Sequence, residues 1–533
     1  MARRSSRWRL PAAVCAIALS VSACGAGGSN DAANENVLIA ASQSEVPSLD
    51  PQAINGTVGL RITDAIYDTL VREDLSATTK EATEIEPFLA EKWTVSADAT
   101  SYVFTIREGV TFQDGTPLNA EAVHKNFERL LNPDASFYSR TAAANMGFLT
   151  RWIGRTEATS DRDLTITLKA PFVELPRLLK DRRMGIISPT ALDQMTEEEL
   201  ATHPVGTGPF MTTGVTPGES IRLQRFDNYW RGEPKLESIV FVTIQDPGSM
   251  ATAMQTRQVD VILSAGAQQI TQLSNDEGVT VQYPDAANQY FIRLNTKSGP
   301  TANKDVRQAL NFAINREALA TATDGQARPL HGSLPSGNTL WQSDSEEIYS
   351  HNPDRARELL AAAGYSDGFS MKLLAPSAGP GFSQSKQIMA LVQQDLASVG
   401  VNLSVEYMDF TTLVATEGPG YTDGVAGSYN GWTTGADNAY WLETMFSPTL
   451  VPPAGVNRGW YVNDQVGAMF GEARGTVDEN ARRDLYRKAV RQIDEDAPWI
   501  FLYQDRLPRM YVTDVQGINE NPSAFVDYAV VSK

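Results

Sequence analysis

Side chains capable of chemistry are scattered along this 533-residue sequence rather than grouped. Four histidines, His124, His203, His331 and His351, include no pair four residues apart, so no helix face offers two imidazoles to a metal ion. Each reads as a surface or cap residue, and no metal site is expected. Ser383-Gln384-Ser385-Lys386 has the spacing at which an amine can activate a hydroxyl, but no lysine–threonine–glycine block completes such a site. The serines instead open an amphipathic helical pattern. Gly206-Thr207-Gly208, bounded by Pro204 and Pro209, is too short to cradle a phosphate. These residues predict recognition rather than catalysis: not an enzyme, and no cofactor.

The two cysteines, Cys15 and Cys24, both lie near the N-terminus, so the rest of the chain has no disulfide and must rely on core burial. Arg3, Arg4, Arg7 and Arg9 precede an almost wholly apolar run over 11–23 that is too short to span a bilayer, the pattern of a signal peptide (1–23). The run ends in Val21-Ser22-Ala23-Cys24, which resembles the lipobox of bacterial lipoproteins and marks Cys24 as the lipidated residue. Residues 24–36, small, polar and glycine-rich, then read as a flexible leash. The formal charge is −19, and loss of four arginines with the signal leaves about −23. Such an acidic surface repels nucleic acid and anionic lipid, which excludes nucleic-acid partners.

The elements that position any site alternate between strand and helix. Strand patterns occur at 102–106, 164–168, 221–226, 239–244, 290–294 and 403–407. Asp246-Pro247 and Asn352-Pro353 each read as an N-cap followed by proline at the first helical position, with Gly364 a matching stop. Helices are expected over 383–399, with Ile388, Leu391, Val392, Leu396 and Val399 inward, and over 477–493, with Ala481, Leu485, Ala489 and Ile493 inward. Alternating elements over this length predict an α/β fold of two or more domains, with ligands held in a crevice between them.

Several ordered blocks resemble the extracytoplasmic solute-binding proteins of the family 5, peptide/nickel class of ABC importers. They are Ser48-Leu49-Asp50-Pro51; Pro87 to Trp93; Arg107 to Leu118, with Gln113 where histidine is common; Pro204 to Phe210; Asn228-Tyr229-Trp230; Val306 to Leu310 with Ala313 to Arg316; and Asn352-Pro353 with Ala363-Gly364. The resemblance implies a two-lobed periplasmic-binding-protein type II-like (cluster C) fold with an inserted subdomain and a hinge. Lobe I is then expected from 37–67, 196–288 and 501–533, the inserted subdomain from 68–195, and lobe II from 289–500. The implied protein is a monomer tethered to the outer face of the cytoplasmic membrane, taking an oligopeptide or dipeptide to an ABC permease and ATPase. Alternatives are a metal chelate, haem-like molecule, modified peptide or oligosaccharide, or a role as a ligand sensor.

Site residues follow from the same resemblance. Asn55-Gly56-Thr57 is expected to line the cleft and offer backbone groups to an extended ligand, or else to be a plain turn. Phe137 and Tyr138 are candidate cleft walls, or packing residues. In lobe II the candidates are Tyr429, Asn430 and Trp432, with Gly435 and Asp437 after them; Gly435 stands where peptide binders commonly carry an aspartate for the ligand's α-ammonium. Arg293, between Ile292 and Leu294, points opposite to both, either toward an acidic or polar ligand or into a hinge salt bridge.

Overall fold

The computed structural model describes residues 36–533 except 55, 76–83, 324–325, 342–347, 378–381, 383, 434–438 and 507. The signal, Cys24, Asn55, Gly435 and Asp437 therefore lie outside the described residues, as does the leash up to Glu35.

Local chemistry sets the elements. Ser101–Ile106 alternates strictly, burying Tyr102, Phe104 and Ile106 on one face. Both proline-led helices are present: the Asp246 carboxylate accepts from the Ser249 N–H before Pro247–Gln255, and the Asn352 side chain accepts from the Arg355 N–H at 3.0 Å before Pro353–Ala362. Gly364 then takes φ +87°, a conformation costly for any residue with a Cβ. The helix expected over 383–399 is Ser385–Ser398.

One expectation needs correction. The helix expected over 477–493 is Glu479–Asp496, begun by an Asp478 cap; Ala481 faces solvent, while Arg482 and Tyr486 turn inward. Arg482 is drawn in by the carboxylate of Glu174 at 2.5 Å, which no hydrophobic pattern signals.

Among the described residues three sheets of four or more strands organise the fold, beside a two-stranded pair of Val71–Glu73 and Ile85–Pro87. A seven-stranded mixed sheet runs in the order Val279–Gln282, Arg509–Val512, Val261–Ile262, Val37–Ser42, Ser238–Thr243, Ser220–Arg225, Phe210–Thr216. A four-stranded antiparallel sheet (Ala90–Val95, Ser101–Ile106, Asp163–Leu168, Ile153–Ala158) builds its own core from Leu70 to Ile186. A six-stranded mixed sheet runs Ala327–Pro329, Trp499–Arg506, Asp285–Leu294, Val425–Thr433, Phe369–Pro376, Val401–Met408. Each face of this last sheet carries a separate core: Tyr290, Ile292 and Leu502 belong to one, Phe291, Trp499 and Phe501 to the other.

The chain enters the six-stranded sheet through Asp285–Leu294 and leaves it through Trp499–Arg506, so the return to the first sheet comes between Arg506 and Arg509, later than the crossing expected after 500. The body of the four-stranded sheet is also fastened to helix Glu479–Asp496. Glu84 pairs with Arg483 at 2.5 Å and Arg177 with Glu479 at 3.1 Å, while the Val173 N–H donates at 2.9 Å to the Arg474 carbonyl in the preceding helix, Asp464–Gly475. Among the described residues no helix is long and apolar enough to cross a membrane.

Candidate functional site

The two crossing strands and their neighbour Val425–Thr433 form an antiparallel triplet. Its register sets Gln289 opposite Trp432, Phe291 opposite Asn430 and Arg293 opposite Ser428, with Gln504 on the other side of Gln289. Because side chains alternate along a strand, this register sorts the candidates by face.

Tyr429 goes to the face of the core. It is 0 % exposed, its hydroxyl lies 2.6 Å from that of Tyr503, and Tyr503 stacks on Tyr290 at 4.7 Å. Phe382 meets Tyr429 edge-on at 5.3 Å. A β-bulge between Tyr290 and Phe291 lets Leu502 and Tyr503 both serve this core. Tyr290 further hydrogen-bonds the side chain of Asp505, whose carboxyl burial pushes up to about 7, with the Tyr290 bond only partly offsetting this.

The opposite face carries Arg293, Asn430 and Trp432. Arg293 is 3 % exposed, and its guanidinium donates to Glu417 at 3.1 Å and lies 3.9 Å from the Met445 sulfur. Of the two readings weighed for it, the structure has the salt bridge. Glu417 also accepts from Arg458 at 2.5 Å, from the Ser428 hydroxyl at 2.5 Å and from Asn430 Nδ2 at 3.2 Å. Burial pushes the Glu417 carboxyl up, but Arg293 and Arg458, with the Ser428 bond, hold it below its ordinary value. Asn430 is thereby occupied as well. Trp432 differs: its ring stands 41 % exposed at the end of the triplet.

On the other side, a buried ion pair holds the segment that leads to Gly56. Arg129 donates to both carboxylate oxygens of Asp50, at 3.1 and 2.5 Å, and to Gln52 at 2.7 Å. Asn145 Nδ2 donates to the carbonyls of Gln52 and Ile54. Gly56, at φ +97°, caps helix Thr57–Thr63, and both Gly56 and Thr57 are exposed. Phe137 packs on the core of the seven-stranded sheet beneath the Lys125 ammonium, 4.8 Å from the ring centre, and Tyr138 beside it is half-buried. The structure thus joins Arg293, Tyr429, Asn430 and Trp432 on neighbouring strands, while Gly56, Thr57, Phe137 and Tyr138 belong to the other body.

Sequence reasoning missed Glu417, the acid that organises one face, and Gln289, the cross-strand neighbour of Trp432. A lone glutamate ending helix Phe410–Glu417 gives no local signal of a partner 124 residues away. Among the described residues there is no cluster of three or more His, Cys, Asp or Glu side chains able to hold a metal ion.

Comparison with known proteins matches this architecture throughout. Residues 84–449 match the family described as bacterial extracellular solute-binding proteins, family 5 Middle. The glutathione-binding protein GsiB of Pectobacterium atrosepticum is 34% identical over 470 residues, covering 87% of this chain and 88% of its own. HbpA2 from Haemophilus parasuis superposes with a TM-score of 0.84 at 24% identity, over 93% of this chain and 99% of its own. The periplasmic binding protein DppA from Helicobacter pylori, solved in complex with the peptide STSA, superposes with a TM-score of 0.76 at 26% identity, over 93% and 98%.

Proposed function

The chain belongs to the bacterial extracellular solute-binding proteins of family 5, transport proteins rather than enzymes, and from that membership we propose that it captures a peptide-type solute between its lobes. Proteins of this class bind a small ligand and work with the permease and ATPase of an ABC importer. The observation that carries the ligand reading is the exposed indole of Trp432, presented at the end of the strands that join the lobes and flanked by neutral amides. An aromatic wall beside directed hydrogen-bonding groups suits an uncharged amide backbone. A ligand touching both lobes favours their closed arrangement, and that difference in affinity is what a permease reads. The similarity to a glutathione-binding protein and to a peptide-complexed one supports the same reading.

Thermal unfolding with glutathione, the tetrapeptide STSA and nickel–histidine tests it. Glutathione or the tetrapeptide should raise stability, by about 2.7 kcal/mol at one hundred times the dissociation constant. A response to nickel–histidine alone defeats the peptide assignment.

The tether is part of the proposal. It rests on Val21-Ser22-Ala23-Cys24 after a short apolar run, places a monomer on the outer face of the cytoplasmic membrane, and predicts that Cys24→Ala moves the protein from the membrane fraction to the soluble fraction.

A further inference from the structure

Gln289 lies in the strand Asp285–Leu294 with its side-chain amide unengaged. The residue is 0 % exposed, yet among the described residues neither Oε1 nor Nε2 has a hydrogen-bond partner. Buried polar groups are nearly always paired, so a side chain with both ends orphaned is unusual and destabilises the unliganded protein.

Neighbouring polar groups on this face are already spent. Gln504, opposite Gln289, accepts from the Ser336 N–H at 2.8 Å and donates to the Ser336 hydroxyl at 2.6 Å. Asn430 is held by Glu417 and Ser428. On the other side of Gln289 stands Trp432, still 41 % exposed, so the row opens to solvent there. Phe291, two residues along the same face, stacks on Trp499 with ring centres 3.5 Å apart. Trp499 in turn meets Trp441 edge-on at 5.8 Å, and the indole N–H of Trp441 is likewise buried without a partner among the described residues.

We propose that the Gln289 carboxamide is a ligand-binding group, its C=O and N–H pairing with the N–H and C=O of a peptide-type amide laid along Trp432. This rests on the solute-binding reading above and narrows its ligand chemistry. A carboxylate would engage only Nε2 and repel Oε1; an ammonium would engage only Oε1. An amide satisfies both ends at once, and does so in a site where little water competes. The cost of the orphaned amide in the free protein is then recovered when ligand binds.

The test combines unfolding of the free protein with calorimetric titration of glutathione and of the tetrapeptide STSA, for wild type, Gln289→Met and Gln289→Glu. Free Gln289→Met should melt at or above the wild-type temperature, because an unpaired polar group has been removed, while its affinity for the peptide-type probe falls at least tenfold. Gln289→Glu, which keeps the shape but loses the donor, should lose affinity too. If Gln289→Met fails to fold, the shorter amide of Gln289→Asn, verified by circular dichroism, is read by the same affinity criterion. Wild type that binds a probe, with folded variants binding within twofold of it, overturns the role of Gln289 and leaves the peptide reading standing. Wild type that binds neither probe overturns both.

Discussion

The guanidinium of Arg293 meets the carboxylate of Glu417 at 3.1 Å in a site where the acid is 1 % exposed, although 124 residues separate the two. Arg458 shares the same carboxylate. Removing the acid leaves buried positive charge uncompensated, so Glu417→Gln should cost about 3–5 kcal/mol in urea unfolding. The folded carboxyl sits below its ordinary value of 4.5, so its contribution is in place above that value and is lost as pH falls through the folded one. The wild-type advantage over Glu417→Gln should therefore shrink in strong acid. A loss under about 1 kcal/mol at neutral pH contradicts the assigned pairing.

Asp505 should show the opposite pH dependence. Burial raises its carboxyl from 3.8 to about 7, and the described structure gives it the Tyr290 hydroxyl. With the folded value above the unfolded one, its favourable contribution is complete below 3.8 and disappears as pH rises through about 7. Asp505→Asn should leave stability nearly unchanged near pH 3.5 and raise it at pH 8, by an amount on the order of 1–2 kcal/mol after allowing for partial exposure. Parallel wild-type and variant curves across that range would refute it.

Two of the ion pairs between helix Glu479–Asp496 and the four-stranded body differ in burial, and burial decides their weight. Glu174 and Arg482 are 4% and 10% exposed, whereas Glu84 and Arg483 are 55% and 25% exposed. Denaturant unfolding should register a loss of about 3 kcal/mol for Glu174→Gln and at most about 1 kcal/mol for Glu84→Gln. Added salt should erase the smaller effect and spare the larger. Equal losses for the two would contradict this ranking.

Trp432 supports little of the fold, because its ring stands 41 % exposed at the end of its strand. Trp432→Ala should alter unfolding by no more than about 0.5 kcal/mol. Glutathione or tetrapeptide affinity should fall tenfold or more if the ring walls the cleft, a difference read directly by calorimetric titration. Unchanged affinity removes the residue from the site.

These cases mark how far local pattern reaches. Caps such as Asp246-Pro247, and alternation such as that of 101–106, were legible because neighbouring residues complete the hydrogen bond or the face. Tyr429 is not placed by its block alone: whether a tyrosine meets ligand or core depends on the side chains it touches, here Tyr290 and Tyr503, which come from distant segments. Arg293 was assigned the right face but could not be given a partner, since Glu417 comes from another element. Gln289 reads as an ordinary polar strand residue until the surrounding hydrogen bonds are counted.

The strand Arg509–Val512 has a last consequence. It is inserted between Val279–Gln282 and Val261–Ile262, and the sheet has no continuous path between those two strands without it. Half of the molecule must therefore wait for nearly the whole polypeptide to be available before its largest sheet can close.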